Sequence, residues 1–89
     1  MFEESRMIAT TDTVAVWLTD GTPDRLVWNG NRYRVSDHPT PLEDEFYWVT
    51  HPPVGIVGWR FQGTAEDGTT RMFDIRQNGD GWTLVRIYV

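Results

Sequence analysis

The chain has 89 residues, 13 acidic against eight basic, and no cysteine. That is one small domain, with neither a disulfide nor a thiolate metal site to brace its core. No run reaches the roughly 20 apolar residues that cross a bilayer. The opening Met1-Phe2-Glu3-Glu4-Ser5-Arg6 is acidic where a secretory leader is basic, so a cytoplasmic chain with no membrane partner is expected.

Residues 1–12 show no sustained period and are expected to form a loosely ordered N-terminal arm, with residues 13–89 as a single small β domain. From Thr13 the pattern alternates, with Val14, Val16 and Leu18 on one face and Ala15 and Trp17 on the other. Asp20-Gly21-Thr22-Pro23-Asp24 is a turn cluster. Leu26 and Trp28 then share a face, Asn29-Gly30 makes a tight hairpin turn, and Tyr33 and Val35 return on the next strand. Arg32 and Arg34 alternate with those two and are expected to face solvent.

The stretch Asp37–Glu45 holds two prolines and four acids in nine residues, ahead of the aromatic run Phe46-Tyr47-Trp48-Val49-Thr50. It reads as a loop, or a loop leading into one short helical turn at Pro41-Leu42-Glu43-Asp44. His51-Pro52-Pro53 ends that run, and paired prolines confine it to a sheet edge or beyond. Val57, Trp59, Phe61 and Ala65 mark a further strand, Glu66-Asp67-Gly68 a hairpin turn, and Phe73 and Ile75 the next inward set. Asn78-Gly79-Asp80-Gly81 turns into Trp82–Val89, which is apolar on both faces save Thr83 and Arg86. Such a strand belongs in the interior of a sheet. Short strands at this spacing predict an all-β fold: an antiparallel five- to six-stranded meander curled into a small, partly open SH3-like barrel.

Catalytic signatures are lacking. Ser36-Asp37-His38 holds the residue types of a hydrolase triad, but neighbours on an extended chain point to opposite faces and cannot line up. His38 and His51 are too far apart in sequence for a usual zinc pattern, and the acidic loop reads as a solvated surface. Neither Gly55-Ile56-Val57-Gly58 nor Gly79-Asp80-Gly81 opens a helix or carries the Lys-Ser/Thr of a phosphate loop. The expectation is a non-enzyme without cofactor or metal.

The remaining constellation is arginine with aromatic side chains. Every basic residue is Arg, the better donor for planar pairing and stacking. Twelve aromatic residues exceed what a core of this size encloses, so some face outward. Trp17, Arg32, Arg34, Tyr47, Trp48 and Arg60 are the candidate contact residues for an unknown protein partner. Single-stranded nucleic acid is the alternative, disfavoured by a net charge of −5.

Two stretches carry a resemblance. Leu26-Val27-Trp28-Asn29-Gly30-Asn31-Arg32-Tyr33-Arg34-Val35 resembles the W-x-G-x-x-Y-x-V hairpin of a small, uncharacterised actinobacterial domain family. Trp59–Val89, with Trp82-Thr83-Leu84-Val85-Arg86-Ile87-Tyr88, resembles that family's closing strands. The family's domain is similar to one appended at the C-terminus of some ImuB-like proteins, Y-family polymerase homologues that act as adaptors in damage-induced mutagenesis. The resemblance implies the fold and a setting in DNA repair. It transfers no catalytic residue, and the polymerase-like part has no counterpart in this chain.

Overall fold

A computed structural model describes residues 6–42 and 58–89. They form seven strands: β1 (Met7–Thr19), β2 (Thr22–Trp28), β3 (Asn31–Val35), β4 (Thr40–Pro41), β5 (Gly58–Ala65), β6 (Thr70–Asn78) and β7 (Gly81–Tyr88). All pairings are antiparallel, in the order β3-β2-β1-β7-β6-β5-β4, and β3 also pairs with β5. That last pairing closes a six-stranded barrel, to which β4 adds a short seventh strand along β5. The all-β antiparallel barrel expected from the alternation is the fold observed.

The turns follow from backbone sterics. Asp20-Gly21 and Asn29-Gly30 hold positive φ at both residues (52° and 78°, 52° and 79°), the two-residue turn whose twist matches that of the flanking strands. The first of these is tighter than its five-residue turn cluster suggests: β2 begins at Thr22, so Pro23 and Asp24 belong to the strand. Gly79, with φ 62°, opens the two-residue turn between β6 and β7.

Inward-facing Val14, Leu26, Tyr33, Trp59, Phe61, Phe73, Ile75, Leu84 and Ile87 fill the barrel, with Val16, Trp28, Val35, Ala65 and Trp82 packed around them. Phe73 is the hub, meeting Tyr33 edge-on at 4.8 Å between centroids, Phe61 at 5.8 Å and Trp28 at 6.4 Å. Such contacts add to the area these rings bury.

The register slips three times among the described strands. Between Trp17 and Leu18 it slips against β2, which leaves Leu18 exposed rather than on the inner face of Val14 and Val16. The other two slips lie along β7 and the start of β1. On β7, Arg86 pairs with Asp74 but Leu84 with Ile75, leaving Val85 as an extra residue. Leu84 and Ile87 therefore both point inward although three apart, and Arg86 and Tyr88 point outward. This is how a strand apolar on both faces sits between β1 and β6. On β1 the register against β7 slips between Ala9 and Asp12, a bulge closed by the Thr10 hydroxyl accepting the Asp12 N–H at 3.0 Å. The bulge breaks the period, so β1 begins at Met7 although alternation is legible only from Thr13.

Candidate binding face

The outer surface of β1, β2 and β3 is built by register. Trp17 lies opposite Arg25, Arg25 opposite Arg34, and Arg34 opposite Thr64. One rung along, Ala15 faces Val27 and Val27 faces Arg32. Because Leu26 and Tyr33 are buried, strand alternation turns Arg25, Arg32 and Arg34 outward. Trp17 is 52% exposed, a large ring left in water at the end of the row that runs through Arg25 to Arg34. A groove of about 490 Å³ runs between Arg25, Arg32 and Arg34 on one wall and Thr64, Ala65 and Glu66 on the other.

These arginines are poorly neutralised. Arg25 Nε lies 3.7 Å from the Asp24 carboxylate, with both side chains more than half exposed, a contact worth a few tenths of a kcal/mol at most. Among the described residues no carboxylate comes within ion-pair distance of Arg32 or Arg34. Directly opposed residues on paired strands have Cβ atoms about 5 Å apart, where like charges destabilise the pairing. The Arg25–Arg34 rung is thus a local cost that the fold does not require.

A different arrangement holds Arg60. It lies on β5 four residues from Thr64, opposite Asp74, away from the Trp17 row. Arg60 Nε donates to Asp74 Oδ1 at 2.7 Å and its Nη2 to Oδ2 at 2.9 Å. Arg86 Nε reaches Oδ2 at 2.9 Å, and the Tyr88 hydroxyl donates to the same oxygen at 3.2 Å. Arg60 also lies over the Tyr88 ring, 5.3 Å from its centroid. Asp74 has no solvent exposure, because these three side chains close over it. The Asp74 hydrogen bonds hold the Arg60 guanidinium above its ordinary value, partly opposed by desolvation. Arg60 is therefore committed to the fold, although its outward parity made it a candidate contact residue.

The remaining candidates fall elsewhere. Tyr47 and Trp48 lie outside the described residues, as do His51 and the Glu43–Glu45 carboxylates. Ser36 and Asp37 continue the ladder where β3 ends: Ser36 N–H donates to the Gln62 carbonyl at 2.8 Å, and Gln62 N–H to Asp37 Oδ1 at 2.8 Å. Thr64 Oγ1 donates to Ser36 Oγ at 2.9 Å. Those bonds are the work of a strand-end corner. No group of three or more His, Asp or Glu with metal-binding geometry occurs among the described residues, and none of their helices is long and apolar enough to cross a membrane.

Sequence reasoning missed Arg25; it named Asp74 as an acid for strand arginines to pair with across the sheet, but not its complete burial. Arg25 was hidden by placing the strand start at Leu26. The signal for it was Pro23: the Asp20-Gly21 pair before it suffices for the turn, which leaves Arg25 alternating with Leu26. In comparisons with protein families, curated proteins and solved structures, nothing matches the chain.

Proposed function

We propose that this is a non-enzymatic interaction domain that binds an acidic segment of a protein partner through Trp17, Arg25, Arg32 and Arg34. The observation that carries the reading is the Arg25–Arg34 rung, a like-charge pair kept beside an exposed Trp on a groove. An incoming carboxylate removes the repulsion and gains bidentate hydrogen bonds from planar donors. Trp17 supplies the apolar anchor that such interfaces place beside Arg. A cytoplasmic setting and an accessory role in DNA repair, suggested by the hairpin resemblance, belong to the same proposal.

Single-stranded nucleic acid is the second reading, favoured by the same clustering of Arg with a stackable ring. Net charge opposes it, since phosphate neutralisation dominates such affinities. Backbone chemical-shift perturbation by NMR, with an Asp/Glu-rich peptide and a single-stranded oligonucleotide as probes, separates the two. The peptide is expected to shift Trp17, Arg25, Arg32 and Arg34 at low salt, with affinity falling as salt rises. Arg25→Ala/Arg34→Ala should weaken it by about tenfold or more. Shifts with the oligonucleotide alone would favour the second reading, and silence with both probes would remove the face as a charged binding site.

A further inference from the structure

The first strand is shared between two neighbours along its length. Its later part, Ala15–Thr19, pairs with β2, whereas Met7–Ala9 and Asp12–Val14 pair with β7. Among the described residues, no strand lies against the other side of Met7–Ala9. The Arg6 and Val89 amides donate to each other's carbonyls at 2.8 and 2.9 Å, which makes Arg6–Val89 a hydrogen-bonded pair. Alternation in an antiparallel ladder then directs the Ile8 N–H and C=O toward β7. The same alternation directs those of Met7 and Ala9 away from it, to the open side.

This edge lacks the usual protection. Natural edges carry Lys, Pro or an inward charge, but Met7-Ile8-Ala9-Thr10-Thr11 has none of these. Met7 is 54% and Ile8 47% exposed. Beyond the bulge the edge is closed off, because the Trp28 indole donates to Asp12 Oδ2 at 2.9 Å. What remains is a short, uncharged, apolar edge with two residues whose outward backbone groups have no partner among the described residues.

We infer that this edge pairs with the same edge of a second copy, in a two-fold dimer centred on Ile8. With Ile8 on the axis, Met7 of one copy meets Ala9 of the other, and both have their N–H and C=O pointing across. Two such pairs give four backbone hydrogen bonds. Ile8 then meets its symmetry mate as a non-hydrogen-bonded pair, the closer kind, with side chains on one face. The match is self-complementary, as an isologous interface requires. It also brings no charge of Met7–Thr11 against another, which suits a second copy better than an acidic partner. The two barrels would join into one continuous sheet through β7 and β1 of each copy. The contact is small, so the dimer is weak, and salt tightens it by screening the −5 charge of each chain.

Sedimentation of the full chain over a rising concentration series tests this, alongside Ala9→Pro and Ile8→Lys. The Ala9 amide points to the open edge, so proline there spares the β7 ladder, as edge positions allow. Losing two hydrogen bonds per dimer should raise the dissociation constant about 100-fold, with a wild-type urea midpoint. Ile8→Lys should abolish association, and mixed-label NMR of the wild type should give Ile8-to-Ile8 contacts between copies. A wild-type chain that stays monomeric at millimolar concentration overturns the inference. So does a dimer lacking that Ile8 contact.

Discussion

Asp74 shows how one side chain gains its meaning from three others far away in sequence. Alternation with Phe73 and Ile75 places it on the outer face, which is where it is. Its burial was not legible, because Arg60, Arg86 and Tyr88 reach it from neighbouring strands whose register depends on the Val85 bulge. Asp74→Asn keeps the shape but leaves two guanidinium groups facing each other across a neutral amide. A loss of about 3 kcal/mol is expected, at the low end for a broken buried pair because both arginines reach solvent, and urea unfolding measures it. Asp67 behaves differently. Its Oδ1 accepts the Thr69 N–H at 2.9 Å, and that bond holds its carboxyl below the usual carboxylate value. A group depressed in the folded state stabilises above its unfolded pKa, and the contribution disappears as pH falls through the folded one. The urea midpoint of Asp67→Ala should therefore lie below wild type at neutral pH, with the gap closing in acid.

At the scale of the elements, the turns were the most legible part. Asn-Gly at 29–30 and the Gly79 turn demand positive φ, and no tertiary contact is needed to find them. Strand limits were less legible, since the bulge at Thr10–Thr11 and Pro23 within β2 both interrupt the pattern that signals a strand. Two glycines separate backbone freedom from close approach. At Gly30, φ is 79° and a Cβ would meet nothing within 4 Å, so Gly30→Ala costs only the left-handed conformation, about 1 kcal/mol. At Gly58 a Cβ would sit 2.9 Å from the Ile75 carbonyl oxygen and 3.2 Å from Leu42 Cδ1. Gly58→Ala must push β5 away from β6, at about 1–3 kcal/mol. Thermal melts of the pair should rank Gly58→Ala as the more damaging.

For the whole molecule, the fold class was readable because twelve aromatic residues and an alternating pattern leave a small chain few ways to hide its apolar face. Which strands close the barrel was not, since that depends on a rung between residues about thirty apart. The closing seam is also the thinnest: β3 meets β5 over three residue pairs, against seven between β6 and β7. Hydrogen exchange should find the Tyr33–Ala65 to Val35–Gly63 rungs opening at lower free energy than those around Phe73 and Ile87. Equal protection would mean that the barrel opens only as a unit. The candidate face was legible in part, as Arg32 and Arg34 follow from alternation and Trp17 from its parity with Ala15. Arg25 and the displacement of Arg60 required the register.

The division of β1 between two neighbours bears on how the chain is made. Its first residues, Met7–Ala9, find their partners only in Arg86–Tyr88, about eighty positions downstream, so during synthesis they wait for the other strands of the barrel to be translated. The hairpin of β2 and β3 has its partners close at hand and can form early, whereas Met7 and Ile8 stay unsheltered until the barrel's last stave emerges. A pause late in translation would prolong that interval, and chaperones that grasp nascent apolar segments would find their foothold on this strand.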